Sequence, residues 1–279
     1  MGGEADDALA RASRPQSLIF TIYGAYSRSL GGWLSVSALL ELLRAVGVDD
    51  ASGRGALSRL KRRGTLLAER RDGAAGYALA PQTRRVFDLG DARVLERRTP
   101  PPDRGWVLAA FSIPEASRDA RYRLRSRLSR IGMAQVTGGL WIAPAGLEPE
   151  LREVVQALDL AGLVEVFTGE HRGFTPTRTA VAQWWDLESI GDSYAAFTRA
   201  YAPMATRWSR RTAAPEPEAA FADYTRVLTA WRPIPYVDPG LPEAYLPAAW
   251  PGRRATEVFF ALHDRLARPA LAYARRVSR

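Results

Sequence analysis

Asp49-Asp-Ala-Ser-Gly-Arg-Gly-Ala-Leu-Ser-Arg-Leu-Lys-Arg-Arg-Gly64 is the stretch of sequence that decides the fold of the amino-terminal part of the chain. An aspartate at its start is a good helix N-cap and the glycine at its end stops a helix, so the stretch predicts a helix ending at about Arg63. At 100° per residue the helix has an apolar side and a basic side. The apolar side consists of Gly53, Ala56, Leu57 and Leu60.

The residues on either side of this helix predict a winged helix-turn-helix. Gln16 to Arg28 has the apolar spacing of a helix, and Ser35 caps a second helix that ends at Gly47, a short turn before the third. After the third helix, two strand-like stretches flank the turn Asp72-Gly73, which predicts a hairpin, or wing. Pro81 to Leu95 is expected to be helical, and residues 1–95 are expected to form a DNA-binding domain.

Basic side chains are concentrated in this predicted third helix and wing. Residues 51–71 carry seven basic side chains and one acid, which is the electrostatic footprint of a nucleic-acid-binding surface. Base-edge contacts are expected from Arg54, Ser58 and Lys61 and phosphate contacts from Arg62, Arg63, Arg70 and Arg71. Arg59 completes the predicted DNA-binding set. The alternative is a solvated basic helix within a winged helix that binds another protein.

The middle of the chain, residues 96–175, has the pattern of a ferredoxin-like βαββαβ domain. Strands are predicted at Gly105 to Ile113, Met133 to Thr137, Leu140 to Ala143 and Leu163 to Thr168, and helices at Arg118 to Ile131 and Glu148 to Leu160. The first of these helices carries six arginines, which are either a solvated face or an additional contact to DNA or to an acidic partner. These are Arg118, Arg121, Arg123, Arg125, Arg127 and Arg130. The domain is also a candidate for dimerisation.

Residues 176–279 are predicted to form a helical domain interrupted by one irregular stretch. Helical spacing covers Thr179 to about Tyr201 and Phe221 to Trp231, whereas six prolines between Arg232 and Gly252 exclude regular structure. Aromatic and arginine side chains in and beside this stretch suit an aromatic ligand with an anionic tail. The candidate effector-binding residues are Trp231, Arg232, Tyr236, Tyr245, Trp250, Arg253 and Arg254. The alternative is an aromatic and proline clamp that only packs the last helix.

Composition excludes several classes of protein. The 279 residues are 47% hydrophobic, have a formal net charge of +9 and include no cysteine and two histidines, so a disulfide framework, a thiolate nucleophile and a Cys-ligated metal are excluded. No metal site or other cofactor is expected. No apolar run is long enough to span a bilayer and no signal peptide opens the chain, which predicts a cytoplasmic protein. No P-loop, Gly-x-Gly-x-x-Gly or Gly-x-Ser-x-Gly motif occurs, so an enzyme is not expected.

Three stretches of the chain resemble the PaaX family of transcriptional repressors of phenylacetate degradation. They are Leu18 to Tyr26 with Arg54 to Gly64, Trp106 to Glu115 with Gly139 to Pro144, and Asp238 to Glu243 with Leu246 to Gly252. The resemblance implies an α+β, multidomain protein that has a winged helix, a ferredoxin-like domain and a helical C-terminal domain. It also implies a homodimer that binds double-stranded operator DNA and is released by phenylacetyl-CoA or a related aryl-CoA thioester.

Two stretches depart from the family pattern. Gly53 and Gly55 stand where the family generally has bulkier residues, and Thr229-Ala230 stands where it usually has a His-Glu pair. The central unit is also similar to the small ferredoxin-like protein of CRISPR adaptation, whose nuclease relatives have an aspartate near the end of the first strand. Ser112 occupies that position, and without a carboxylate there is no evident Mg²⁺ ligand, which argues against a metal-dependent nuclease. A non-specific DNA- or RNA-binding protein is the remaining alternative, and it predicts affinity that hardly depends on sequence.

Overall fold

The computed structural model describes residues 12–81, 83, 84, 87, 90, 92–96 and 103–279 of the chain. It is a mixed structure of helices and sheets in which contacts between residues divide the chain into two units. The first unit combines Met1–Glu96, Ser193–Arg232 and Gly252–Arg279, and the second combines Arg97–Asp192 and Pro233–Pro251. The division into three consecutive domains stays a prediction.

Three helices form the amino-terminal part of the first unit. They are α1 (Pro15–Ala25), α2 (Val36–Ala45) and α3 (Asp50–Arg62). The side chain of Ser35 accepts a hydrogen bond from the backbone N–H of Ala38, and that of Asp49 accepts one from Ser52, so both predicted N-caps are present. Of the helix expected at Pro81 to Leu95, residues 82, 85, 86, 88, 89 and 91 lie outside the described residues, residues 81, 83, 84, 87 and 90 are helical, and Ala92–Glu96 form a π-helical turn.

A three-stranded antiparallel sheet also belongs to this amino-terminal part. The predicted hairpin consists of β2 (Leu66–Arg71) and β3 (Ala74–Leu79), and both residues of its turn, Asp72 and Gly73, have positive φ. A short strand that the sequence did not predict, β1 (Trp33–Ser35), pairs with β3, giving the order β1-β3-β2. The sheet thus connects the segment before α2 to the hairpin after α3.

Helices from the carboxyl-terminal part complete the first unit. They are α8 (Pro217–Trp231), α10 (Gly252–Val277) and the part of α7 (Leu187–Ser209) that begins at Ser193. The ring of Phe221 on α8 lies 5.1 Å from that of Tyr26 at the C-cap of α1 and 5.2 Å from that of Tyr273 on α10. These buried aromatic side chains join the two ends of the sequence in one core.

The second unit contains a four-stranded antiparallel sheet. Its elements are, in order, β4 (Trp106–Phe111), α4 (Arg118–Arg130), β5 (Ala134–Thr137), β6 (Leu140–Pro144), α5 (Glu148–Ala157) and β7 (Val164–Gly169). The strands lie in the order β5-β6-β4-β7. Leu124 and Leu128 of α4 and Leu151 of α5 share one buried cluster with Val107 and Trp141 of the sheet. Both helices therefore cover the same face of the sheet.

The helix predicted from Thr179 to Tyr201 is two helices, and that prediction is wrong. α6 (Thr177–Trp184) ends at Trp185, whose backbone is extended, before α7 begins at Leu187. The indole N–H of Trp185 donates to the carbonyl of Gly132 at 2.9 Å, and its ring stacks with that of Trp106. Residues 233–251 are mostly irregular, as predicted, with a short helix α9 (Ile234–Val237) and a 3₁₀ turn at Glu243–Tyr245.

Candidate nucleic-acid interface

The packing of α3 on α2 turns the basic side of α3 toward solvent. Leu57 and Leu60 are buried, and Gly53 lies so close to α2 that a Cβ there would be 3.0 Å from Leu40 Cδ2 and 3.2 Å from Leu43 Cδ1. The glycine therefore permits a close approach of the two helices, which fixes the direction in which the opposite side of α3 points. A glycine that looked unfavourable for a helix has a packing role here.

Every residue of the predicted DNA-binding set is solvent-exposed. Six of them lie on α3 or at its C-cap, namely Arg54, Ser58, Arg59, Lys61, Arg62 and Arg63. Arg54, Ser58 and Lys61 are spaced i, i+4 and i+7, so they share one side of the helix. The five basic side chains among the six residues on α3 and its C-cap form no ion pair in the part of the chain that the structure describes. The surface of α3 is thus a row of uncompensated positive charge.

The two arginines of the hairpin are held by local contacts. The guanidinium of Arg70 donates to the carbonyl of Gly73 at 2.7 Å across the turn. That of Arg71 pairs with Glu69 at 2.9 Å and lies 5.6 Å from the ring centroid of Trp33. The hydrogen bond between the two side chains lowers the pKa of Glu69 and raises the pKa of Arg71. Glu69 therefore offsets one of the hairpin's two charges, which the sequence pattern did not indicate.

The candidate effector residues are divided between the two units. Trp231 is buried in the first unit, where its indole N–H donates to the carbonyl of Val94 and its ring stacks on Phe259 with centroids 4.6 Å apart. The guanidinium of Arg232 lies over the rings of Phe20 and Phe87, about 5 Å from each. Both side chains are used in packing the first unit.

The other candidate effector residues are more accessible. Tyr236, Tyr245 and Trp250 lie in the second unit and are half-buried. The Tyr245 hydroxyl donates to the Asp103 carboxylate at 2.7 Å, and this hydrogen bond raises the pKa of Tyr245. Arg253 and Arg254 are exposed in the first turn of α10, in the first unit, where Arg254 pairs with Glu257 at 3.0 Å.

A buried polar connection between α1 and α8 was missed in the sequence. The hydroxyls of Thr21 and Thr229 are 2.9 Å apart, and those of Tyr26 and Thr225 are 3.0 Å apart. Burial raises the pKa of Tyr26 well above its ordinary value, so its hydroxyl stays neutral. Thr225 and Thr229 are spaced i and i+4 within the otherwise apolar face of α8, and that spacing is the only signal that pointed to a shared polar contact.

Neither a metal-binding cluster nor a membrane-spanning helix occurs among the described residues. No group of three or more His, Cys, Asp or Glu side chains that could hold a metal ion occurs within them. No helix in the described part of the chain is both long and apolar enough to cross a membrane.

Comparison with known proteins identifies relatives along most of the chain. Residues 14–83 match the profile "PaaX-like protein", residues 99–181 match "PaaX protein central Cas2-like domain", and residues 185–276 match "PaaX-like protein C-terminal domain". The central domain is therefore Cas2-like.

Two individual proteins match over nearly the whole length. "Transcriptional repressor PaaX" of Escherichia coli (strain K12) is 24% identical over 260 residues, which are 92% of this chain and 82% of the relative. The solved structure "Uncharacterized protein Rv0674 from Mycobacterium tuberculosis" aligns with a TM-score of 0.52 and 22% identity, covering 92% of this chain and 96% of that one. Because three PaaX family profiles match it at residues 14–83, 99–181 and 185–276, the chain belongs to the PaaX family.

Proposed function

We propose that the chain is a sequence-specific DNA-binding transcriptional regulator that reads its operator with a winged helix-turn-helix. The observation that carries this proposal is the exposed, uncompensated positive side of α3, presented by a helix whose opposite side is fixed against α2. A helix of this kind fits the major groove, and the hairpin β2–β3 serves as the wing. Similarity to a protein named as a transcriptional repressor supports the same function.

The residues of this surface have two roles. Arg54, Ser58 and Lys61 share one side of α3 and are assigned to base edges, where arginine and lysine recognise guanine. Arg62, Arg63 and the hairpin arginines are assigned to backbone phosphates, together with Arg59. Since phosphate contacts carry no direct sequence information, the two groups are distinguishable by substitution.

The central domain is assigned the ferredoxin-like fold and a role in assembly. Its order of elements is βαββαβ, and the β5-β6-β4-β7 sheet is covered on one face by α4 and α5. A homodimer is proposed because two copies related by a two-fold axis match the two half-sites of a palindromic operator.

The direction of regulation and the effector are proposed from the family. The chain is assigned as a repressor of aromatic-acid catabolic genes. An aryl-CoA thioester, such as phenylacetyl-CoA, is assigned as the effector that releases this repressor from DNA. Tyr236, Tyr245 and Trp250 are the aromatic candidates for its acyl group, with Arg253 and Arg254 as candidates for its phosphates. Trp231 and Arg232 are assigned a supporting role through packing. A coupling free energy of about 1 to 3 kcal/mol would change operator affinity roughly 5- to 150-fold.

The test is fluorescence anisotropy of a labelled duplex from upstream of the gene, titrated with the full chain at physiological salt. A duplex of scrambled sequence is the control, and each titration is repeated with phenylacetyl-CoA. We expect selective binding to the upstream duplex and release by the thioester. Equal affinity for both duplexes contradicts the sequence-specific function, and selective binding unaffected by the thioester contradicts only the effector.

A further inference from the structure

A second basic surface lies on α4, in the second unit. The helix carries six arginines, and its only acidic residue is Asp119. Five of the arginines are exposed, and Arg121 is half-buried. The helix therefore holds like charges together at i, i+3 and i+4 spacings that disfavour a helix in isolation.

The arginines form two rows on either side of the helix. Arg121 and Arg125 belong to one row, and they have partners, because Arg121 pairs with Glu115 and Arg125 donates to the Gln135 side chain at 2.5 Å. Arg123, Arg127 and Arg130 form the other row, spaced i, i+4 and i+7. We call these three residues the α4 row. Within the described residues, none of the three has a hydrogen bond or ion pair from its side chain.

The position of the α4 row follows from what the rest of the helix does. Leu124 and Leu128 are fully buried against the sheet, so they fix the rotation of α4 and leave the row facing solvent. A 13-residue helix is about 20 Å long. The three arginines are thus held on a rigid support as a short line of positive charge, complementary to a line of phosphates.

We propose that the α4 row binds the phosphate backbone of duplex DNA as a second, sequence-independent contact surface, separate from α3. The inference rests on the proposed function, since it takes DNA as the partner, and it adds a contact from a different unit of the chain. Charge complementarity favours this occupant, because duplex DNA carries about one charge per 1.7 Å of its axis and arginine binds phosphate through two N–H groups. The row supplies affinity and no sequence preference.

The test compares the salt dependence of DNA binding in the full-length chain and in the triple variant R123Q/R127Q/R130Q. The slope of log affinity against log salt is negative, and each lost phosphate contact reduces its magnitude by about 0.9. Three lost contacts therefore reduce the magnitude by about 2.7. Between 50 and 200 mM salt, the affinity of the natural chain should then fall about 40-fold more than that of the variant. The ratio of affinities for upstream and scrambled duplexes should stay unchanged.

The matched control is R152Q/R172Q/R207Q, which removes the same total charge from three exposed arginines already paired with Glu148, Glu170 and Asp223. It should keep the slope of the natural chain. A second variant, R123K/R127K/R130K, keeps the charges of the row and should keep most of the slope. Thermal melting of every variant checks that the fold is retained.

The outcomes separate this inference from the proposed function. If the α4 triple variant has the same slope as the matched control while the natural chain still discriminates between duplexes, the inference is wrong and the proposed function stands. If the slope falls as expected without any discrimination in the natural chain, the α4 contact stands and sequence-specific function is wrong. A natural chain that binds no duplex contradicts both.

Discussion

Gly53 is the residue on which the presentation of α3 depends most directly. Valine at this position would place its branched side chain into Leu40 and Leu43, which a Cβ alone already approaches to 3.0 and 3.2 Å. We expect Gly53→Val to lower the free energy of unfolding by about 1 to 3 kcal/mol, the usual cost of overpacking. Urea-induced unfolding of the full chain measures this difference.

Gly55 provides the matched control on the same helix. A Cβ at this position meets only the guanidinium end of Arg59, which can move. Gly55→Ala should therefore raise the free energy of unfolding by about 0.5 to 1 kcal/mol, because alanine is the better helix former. Equal stability of the Gly53→Val and natural chains would show that the close approach of α2 and α3 is not required.

At the scale of elements, α3 begins at a carboxylate cap whose effect depends on pH. The Asp49 carboxylate accepts a hydrogen bond from the Ser52 N–H at 2.8 Å, which lowers its pKa in the folded protein. The cap therefore contributes stability above the unfolded-state pKa and loses that contribution as pH falls through the folded-state pKa.

Asp49→Asn tests this cap. The amide can still accept the hydrogen bond but does not titrate, so the variant should lose less stability on acidification than the natural chain over that pH range. Urea midpoints of both proteins, measured from neutral pH into the acid range, give the comparison. Parallel pH profiles would contradict a stabilising role for the ionised cap.

Local signals predicted the elements of the amino-terminal part well. Ser35 and Asp49 cap helices as expected, and Asp72-Gly73 forms the predicted turn. The strand Trp33–Ser35 was missed because three residues are too few to show alternation. The break at Trp185 has one local signal, Asp186, whose carboxylate accepts a hydrogen bond from the Ser189 N–H at 3.0 Å. Trp185 itself is held by a contact with Gly132, 53 residues away, which the sequence does not show.

The candidate site was predicted only in part for a similar reason. Exposed arginines on α3 follow from helical periodicity, so their exposure could be predicted. Composition could not separate Trp231, which is buried against Phe259, from Trp250, which is half-buried, because both look alike in a stretch rich in aromatic residues. The pairing of Arg71 with Glu69 depends on rotamers that the sequence does not determine.

At the scale of the whole molecule, the amino-terminal part is not independent of the carboxyl-terminal helices. Ile19 and Ile22 of α1 are fully buried, and α1 makes its polar contacts through Thr21 and Tyr26 to α8. The Arg226 guanidinium of α8 also donates to the carbonyl of Val46 at the end of α2. A change in α8 can therefore act directly on the helices that support α3.

A fragment of residues 1–96 should consequently fail to fold as the full chain does. Removing α8 and α10 exposes the apolar surface of α1 to water and leaves Thr21 and Tyr26 without their partners. We expect the fragment to lack a cooperative thermal transition by circular dichroism. A cooperative transition at the melting temperature of the full chain would show that the amino-terminal part is an independent domain.

The measurement that tests the central claim most directly compares Arg54→Ala with Arg70→Ala by anisotropy on upstream and scrambled duplexes. Arg54 is assigned to a base edge, so its loss should reduce the ratio of the two affinities, with a cost of about 1 to 3 kcal/mol on the upstream duplex. Arg70→Ala should weaken binding to both duplexes alike. An unchanged affinity ratio in Arg54→Ala would contradict the assignment of this side of α3 to sequence recognition.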